Sequence, residues 1–526
     1  MILRMYLGIF LMVALVWAPS SVSAVPVEIP PKEVFKGYEL VEDWRIAEAD
    51  ALMDTLIKRY PQSGDVRFLQ SRVEFFKGKY DYAWKILKSV ESNHTSIKDF
   101  KSLVNETRQA TANLISRESE HFIFRFEKGP DEILVHYAEE ALERSYQVLG
   151  ELLNYFPREK VRVEIYPNRE PLSRVSPLTR KDIITSGTVA LCKYNRIMLI
   201  SPASLVRGYN WMDTLSHEYT HYLLTKKSHN KLPLWMHEGI AKHFEGKWRE
   251  AKEFLSPLMK TVLATGLANE YLISLDAMMP SLAKLKNQED VQLAYAEVAT
   301  MVDFMIREKG ESIFSALLDD LAGGRDFENA LTARLGMDLA AFQEKWKVFM
   351  QQRNLKTIPG LHPMQTRFKS NRNAEDDNKD YQEVGEQRAQ DLTFLGDILK
   401  SRNQYRAAIV EYEKAFEESE VESPILYNKL AGTHMILQDY GQAEVSLKKS
   451  LQHFPDFHTT LVNLGELYLE TERTPEAKDY FERAVRINPF NPFVHLRLIR
   501  IYGILKMDKK KKLQEKLYRY LDNRPG

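Results

Sequence analysis

Residues 217–221 read His-Glu-Tyr-Thr-His, and this HExxH stretch indicates both the fold and the chemistry of the region around it. Residues four apart on a helix share a face, so the imidazoles of His217 and His221 can bind one metal ion together. Glu218 follows the first histidine and can reach a metal-bound water without binding the metal itself. We therefore expect two metal ligands and one general base on a single helix.

The residues around the motif are mostly apolar, among them Trp211, Leu215, Tyr222 and Leu223. Such flanks predict a buried helix rather than an exposed polar one that carries HExxH by chance. Burying three ionisable side chains costs several kcal/mol unless a partner compensates. A metal ion is the obvious partner.

A third ligand is predicted on the next helix, within residues 233–241 (Pro-Leu-Trp-Met-His-Glu-Gly-Ile-Ala). Glu238 shares a helix face with Trp235 and Ala241 and would look toward the first helix, which Gly239 would allow to approach closely. Catalytic zinc sites keep three protein ligands and leave one position for water, so we expect one Zn²⁺ per chain. Glu238 is preferred over four other candidates, namely His229, His237, His243 and Glu245.

The region from about residue 118 to 350 resembles the peptidase MA-like gluzincins, which are thermolysin-related metallopeptidases with a zincin fold. The resemblance rests on two specific motifs, residues 214–221 and 232–241, and on a less specific pattern in residues 323–346. It implies a zinc site with one catalytic base, in which the ligands are His217, His221 and Glu238 and the base is Glu218.

The same resemblance predicts further parts of the site. The strand before the metal helix, residues 197–200, would lie along the cleft edge and bind an extended peptide, with an ordinary edge strand as the alternative. Gluzincins often stabilise the oxyanion with Tyr or His, and Tyr295 is the only candidate here. A packing role is the preferred interpretation of Tyr295, so it is not counted among the predicted site residues. Cys192 is expected to be a buried apolar residue rather than a reactive thiol.

The pattern around the motif predicts an α+β arrangement. Residues 121–126 and 161–166 alternate like strands, and residues 131–153 have helical spacing between them. Residues 188–201 read as two short strands, and residues 271–350 read as helical. We therefore expect a zincin-like metallopeptidase domain over residues 117–352.

The carboxy-terminal part repeats with steps of about 34 residues, as the small residues Ala408, Ala443 and Ala477 show. This pattern resembles tetratricopeptide repeats, in which small residues mark where paired helices press closest. We expect an all-α repeat domain over residues 385–526, ending in a charged capping helix. A polar linker over residues 353–384 is expected to be flexible and to separate it from the metallopeptidase domain.

A second helical repeat region is predicted over residues 25–116, where Ala49 and Ala83 lie 34 positions apart. Before it, residues 1–24 combine Arg4, an apolar run and a small-x-small ending at Ala24, which is typical of a signal peptide. An uncleaved anchor is the alternative, but the apolar run is short for a bilayer span. We expect cleavage near Ala24 and a periplasmic or secreted bacterial protein without an integral membrane segment.

Composition narrows the function classes. The 526 residues contain 73 Lys+Arg and 73 Asp+Glu, so the formal net charge is zero. The overall charge therefore does not favour binding to nucleic acid or to an anionic membrane. The single cysteine excludes an intrachain disulfide and a cysteine-based zinc site.

The sequence therefore predicts an exported zinc-dependent metallopeptidase that hydrolyses peptide bonds. Its repeats are expected to recruit or position a protein partner, and its substrate is expected to be a peptide or protein. The alternative is a repeat-based scaffold or assembly protein whose zincin domain is vestigial or only structural.

Overall fold

The computed structural model describes residues 32–91, 94–369 and 380–522. The predicted signal peptide, residues 1–24, lies outside these ranges. Helices make up most of the described chain and accompany one small mixed sheet. The expected arrangement is present, because an α+β region stands between two helical regions.

Five helices open the described chain, and each of them packs against the next. Ala49 and Ala83 are fully buried, as expected of small residues at close helix contacts. Ser63 caps the third helix by accepting a hydrogen bond from the Val66 N–H. The helices are α1 (Lys32–Glu42), α2 (Ile46–Arg59), α3 (Gly64–Phe76), α4 (Tyr80–Leu87) and α5 (Thr95–Thr111).

The sheet has five strands in the order β1-β2-β3-β5-β4. The inner pairs β2/β3 and β3/β5 are parallel, and the outer pairs β1/β2 and β4/β5 are antiparallel. The long helix α6 (Glu132–Leu153) connects β2 to β3. The strands are β1 (Leu114–Glu118), β2 (Phe122–Glu127), β3 (Val161–Tyr166), β4 (Ala190–Lys193) and β5 (Arg196–Ile200).

Strand β1 was not predicted, and it crosses the expected boundary between residues 116 and 117. Its residues pair with β2 from Leu114 opposite Glu127 to Glu118 opposite Ile123. This pairing, rather than a strong alternation of its own, holds β1 in the sheet.

The expectation that residues 197–200 form the cleft-edge strand is wrong. These residues belong to β5, which is buried along its whole length between β3 and β4. Tyr194 and Asn195 both have positive φ, 56° and 59°, as in the two-residue turns that suit hairpins. This turn folds β4 onto the outer side of β5, so β4 rather than β5 forms this edge of the sheet, and β1 forms the other edge.

Two consecutive helices carry the metal-site motifs, namely α9 (Trp211–Ser228) and α10 (Leu234–Phe244). A Cβ added at Gly239 would lie 2.6 Å from the carbonyl oxygen of Val298. The glycine therefore brings α10 close to α12, and not to α9 as the sequence suggested. The other helices of this region are α7 (Arg169–Val175), α8 (Arg180–Ser186), α11 (Pro257–Ala268), α12 (Gln288–Lys309), α13 (Ser312–Ala322), α14 (Phe327–Leu335) and α15 (Leu339–Gln352).

The carboxy-terminal helices pack as antiparallel neighbours, and Ala408, Ala443 and Ala477 are fully buried between them. A Cβ at Gly465 would lie 2.7 Å from the ring of Phe481, so these helices approach closely. They are α16 (Gln387–Ser401), α17 (Tyr405–Glu418), α18 (Pro424–Ile436), α19 (Tyr440–His453), α20 (His458–Glu470), α21 (Thr474–Ile487), α22 (Pro492–Ile504) and α23 (Asp508–Asp522).

The described part of the predicted linker is hydrogen-bonded to the α+β region. Val206 donates a backbone hydrogen bond to Arg367 at 3.0 Å, and Lys369 donates one to Ser204 at 2.8 Å. Phe368 packs on an apolar cluster that includes Leu205. These contacts hold a segment whose polar sequence had indicated flexibility; residues 370–379 lie outside the described ranges.

The repeat helices also contact the peptidase region. The Tyr209 N–H donates to the Ile487 carbonyl oxygen at 3.3 Å, and Arg486 lies 3.5 Å from Glu140. Within the ranges described, none of the helices has the length and apolar character needed to cross a membrane.

Candidate metal centre

Helices α9 and α10 bring the three predicted ligand side chains together. The Nε2 atoms of His217 and His221 lie 3.1 Å apart. Glu238 Oε2 lies 3.4 Å from the first of these atoms and 3.3 Å from the second. One helical turn separates the two histidines, while the turn between the helices swings Glu238 to face them.

This geometry fits a tetrahedral zinc site. Ligand atoms at about 2.0 to 2.1 Å from a tetrahedral Zn²⁺ lie about 3.3 Å from one another. Within the described residues, Oε2 of Glu238 has no aligned hydrogen-bond donor although it is buried. Two imidazole nitrogens and an orphaned carboxylate oxygen form a donor set suited to zinc.

The electrostatics of the cluster favour a positive charge. Burial opposes protonation of His217, but the carboxylates of Glu238, Glu245 and Glu218 outweigh it and raise the pKa of His217 to about 10. Burial also opposes ionisation of Glu238, but His221 and His217 outweigh it and hold the pKa of that carboxyl far below its ordinary value. Both shifts show that positive charge is stabilised beside these carboxylates, and a bound cation would supply that charge.

Glu245 lies behind the first histidine rather than among the ligands. Its Oε2 atom is 3.3 Å from Nδ1 of His217, and its other carboxylate oxygen contacts the ammonium group of Lys242. A carboxylate in this place fixes the tautomer and orientation of a ligating imidazole. From the sequence, Glu245 is a candidate third ligand to which Glu238 is preferred. The structure gives Glu245 a different place, behind His217.

Glu218 is buried beside the cluster, where burial raises the pKa of its carboxyl and the two histidines lower it. The backbone N–H of Cys192 on β4 also lowers this pKa. The predicted base therefore lies beside β4. Burial raises the pKa of the Cys192 thiol well above its ordinary value, which keeps the thiol protonated.

Tyr295 on α12 also reaches the centre. Its ring centroid lies 6.1 Å from that of His217, and burial together with the nearby carboxylates of Glu238 and Glu218 raises the pKa of its hydroxyl well above the ordinary value. Asn287 begins this helix by accepting a hydrogen bond from the Asp290 N–H at 2.8 Å. The ring of Tyr295 lies beside that of the predicted ligand His217, and its hydroxyl lies near the carboxylates of the site.

The remaining candidate ligands stay outside the cluster. His229 ends α9 in a left-handed conformation, and His243 packs against Phe254. His237 is buried with its ring centroid 5.6 Å from that of His221, and burial lowers its pKa to about 3. Across the described ranges, the group of side chains placed to hold one metal ion consists of His217, His221 and Glu238.

Comparison with known proteins agrees with this architecture. Residues 134–352 match the model of the Peptidase MA superfamily. Residues 422–489 match a tetratricopeptide repeat model, and residues 2–120 match the model Iml2/Tetratricopeptide repeat protein 39. The chain joins a Peptidase MA superfamily domain to tetratricopeptide repeats. The Peptidase MA domain holds the whole cluster of His217, His221, Glu238 and Glu218.

Individual similar proteins match less closely. Uncharacterized protein ycf37 of Guillardia theta is 29% identical over 141 residues, which cover 26% of this chain and 73% of that protein. Among solved structures, the match with MamA AMB-1 has 19% sequence identity and a TM-score of 0.24. It covers 26% of this chain and 75% of the MamA chain. The match with native yeast LTA4 hydrolase has 12% sequence identity and a TM-score of 0.30. It covers 77% of this chain and 66% of the hydrolase chain.

Proposed function

We propose that this protein is a zinc-dependent metallopeptidase that hydrolyses peptide bonds. The observation that carries the proposal is the mutual separation of three ligand atoms, 3.1 to 3.4 Å, with Glu218 held beside them. His217, His221 and Glu238 would hold the ion. When bound, zinc supplies Lewis acidity, which polarises a carbonyl and lowers the pKa of a water.

The protein's own groups then handle the protons. Glu218 accepts a proton from the attacking water and passes it to the leaving amine. Its raised pKa, caused by burial, suits a group that must both take and return a proton. The Tyr295 hydroxyl, which lies at the cluster, donates a hydrogen bond to the oxyanion that develops on the carbonyl.

The free edge of β4 would bind the substrate backbone. The backbone groups of Val189 and Leu191 face β5, as the hydrogen bond from Ile200 to the Val189 carbonyl shows at 2.8 Å. Alternation then directs the backbone groups of Ala190 and Cys192 outward. An extended peptide can pair with this edge, next to Glu218.

The repeats would recruit or position a protein partner, since helical repeat arrays offer extended binding surfaces. Export belongs to the same proposal and rests on residues 1–24, which lie outside the described ranges. Sequencing the amino terminus of the protein from a periplasmic fraction should show a start near Val25. A start at Met1 in a membrane fraction would support the uncleaved anchor.

A scaffold with a vestigial zincin domain is the second candidate. The size of the repeat regions favours it, and the intact set of His217, Glu218, His221 and Glu238 opposes it. The two candidates differ in one respect that can be measured, because a scaffold binds partners without chelator-sensitive cleavage.

Metal analysis combined with a peptide-library digest tests the proposal. We expect about one zinc per chain in the wild type, and Glu218→Gln should retain zinc while losing about 100- to 10,000-fold in cleavage rate. His221→Ala should lose both. Glu344→Gln, an exposed substitution in α15, is the matched control and should behave as the wild type. Wild-type protein that binds no zinc, or Glu218→Gln protein that cleaves normally, would refute the proposal.

A further inference from the structure

Five consecutive residues, 206–210, precede the metal helix α9, and we call them the docking segment. They lie in the connection between β5, which ends at Ile200, and α9, which begins at Trp211. Each of the five residues lies against the linker or the carboxy-terminal repeats. The chain that leads into the metal helix is therefore held by parts of the protein that lie far along the sequence.

The linker holds the first two residues of the docking segment. The Val206 N–H donates to the Arg367 carbonyl oxygen at 3.0 Å. The guanidinium group of Arg207 forms two ion pairs at 2.6 Å each, one with Asp380 and one with Glu383. The side chains of Arg207 and Glu383 are only 20% and 15% exposed. Charge-assisted hydrogen bonds of this kind fix direction as well as distance.

The repeats hold the other three residues. The Tyr209 N–H donates to the carbonyl oxygen of Ile487, at the end of α21, at 3.3 Å. Gly208 has a φ of 68°, and a Cβ added to it would lie 2.4 Å from the same oxygen. A residue with a side chain would therefore keep α21 further away. The side-chain amide of Asn210 donates to Asp456, in the loop between α19 and α20, at 3.4 Å.

The docking segment is connected to the first turn of the metal helix. The side-chain amide of Asn210 also donates to Asp213 in that turn, at 2.8 Å. Asp213 is buried and accepts further hydrogen bonds from Trp248 and Arg249, at 2.9 and 2.8 Å. His217 lies seven residues after Asn210, which corresponds to about 10 Å of helical rise. Contacts with the repeats are thus continuous with the start of the helix that carries the metal ligands.

We propose that Arg207 and the docking segment position the metal helix, so that the linker and the repeats support the metal centre. The inference rests on the proposed peptidase function, because His217 and Glu218 are the groups that are positioned. Such groups must be held within about 0.5 Å of their productive geometry. A displacement of about 1 Å can lower the rate about 100-fold even when its cause lies far from the chemistry. Arg207 is a positioning residue, since it acts through α9.

Arg207→Met in the full-length protein removes both ion pairs and tests the proposal. For one peptide substrate, kcat should fall about 10- to 100-fold while KM stays near its wild-type value, because positioning acts on the chemical step. With excess chelator, amide hydrogen exchange of residues 211–217 should be about 10-fold faster than in the wild type, because the first two turns of α9 lose support. Exchange of β3, residues 161–166, should be unchanged.

Arg388→Met is the matched control, because Arg388 forms an exposed ion pair with Glu418 inside the repeats. It should leave both kcat and hydrogen exchange as in the wild type. Circular dichroism should show that each variant is folded. If Arg207→Met is not, Asp380→Asn weakens the same ion pairs from the linker side, and the same two measurements on that variant decide.

A lower kcat together with faster exchange of residues 211–217 would support the positioning role. Either change without the other, or neither change, would overturn it and leave the peptidase function intact, provided that cleavage still depends on Glu218. Wild-type protein without chelator-sensitive cleavage would overturn both.

Discussion

Nδ1 of His217 lies 3.3 Å from Oε2 of Glu245, while Nε2 of the same ring lies 3.4 Å from Oε2 of Glu238. The imidazole of His217 thus lies between two carboxylates, one within α10 and one at its carboxy-terminal end, about two helical turns apart. The carboxylate on Nδ1 keeps that nitrogen protonated and directs Nε2 toward the ligand cluster. Glu245 is therefore a positioning residue.

Glu245→Gln should weaken zinc binding about 10- to 100-fold, because a neutral amide orients and polarises the imidazole less. Competition with a chromogenic chelator measures this affinity. Glu250→Gln changes a highly exposed glutamate nearby and should leave the affinity unchanged. Equal zinc affinity in the wild type and Glu245→Gln would show that Glu245 does not position His217.

Tyr295→Phe should lower kcat about 100- to 1000-fold while zinc content and KM stay near their wild-type values. The substitution keeps the ring and removes only the hydroxyl that donates to the developing oxyanion. Steady-state kinetics on one peptide separates the two constants. Tyr271→Phe is the matched control, since this exposed tyrosine bonds to Asp290 at 3.0 Å. An unchanged kcat in Tyr295→Phe would leave Tyr295 a packing role.

The buried ion pair of Arg196 and Glu164 should govern the stability of the sheet. Both side chains are fully buried, 3.2 Å apart, and the Tyr80 hydroxyl from α4 also donates to Glu164 at 2.5 Å. Arg196→Met leaves the buried carboxylate with only the more distant Arg125, at 3.7 Å, as a cation, which should lower the free energy of unfolding by about 3 kcal/mol. Urea denaturation measures the loss.

An exposed pair supplies the control for this stability measurement. Lys347→Met breaks the ion pair with Glu344 on the surface of α15, and should change the free energy of unfolding by less than about 1 kcal/mol. A loss in Arg196→Met no larger than that in Lys347→Met would contradict a structural role of the buried pair.

Glu297 on α12 should make stability depend on pH. Burial raises the pKa of its carboxyl to about 8, and the Ile273 N–H donates to it at 2.9 Å. The folded protein keeps a proton that the unfolded chain releases above the ordinary pKa of 4.5. The unfolding free energy contributed by this group therefore falls as pH rises from about 4.5 to about 8.

Glu297→Gln removes this titration, so its stability relative to the wild type should rise between pH 5 and pH 8. Denaturation midpoints measured at both pH values with excess chelator separate this effect from zinc binding. Glu344→Gln, whose carboxylate is exposed, should show no such change relative to the wild type. A difference between Glu297→Gln and the wild type that is the same at both pH values would rule out the raised pKa.

Local periodicity predicted much of the fold. The helices that carry His217 and Glu238 follow from spacing within one or two turns, and the buried Ala408, Ala443 and Ala477 follow from a repeat period. Strand β1 was missed because its place in the sheet comes from pairing with β2. The position of Tyr295 beside His217 could not be predicted, because α12 lies far along the chain from α9.

By itself, the sequence determined which side chains could share one metal ion and where the repeats stand, because helix faces and repeat periods depend on neighbouring residues. Only the tertiary structure decided that β4 rather than β5 is a sheet edge, that Glu245 lies behind His217, and that the linker is hydrogen-bonded to the chain after β5. These features depend on contacts between segments far apart in the chain, which no local pattern specifies.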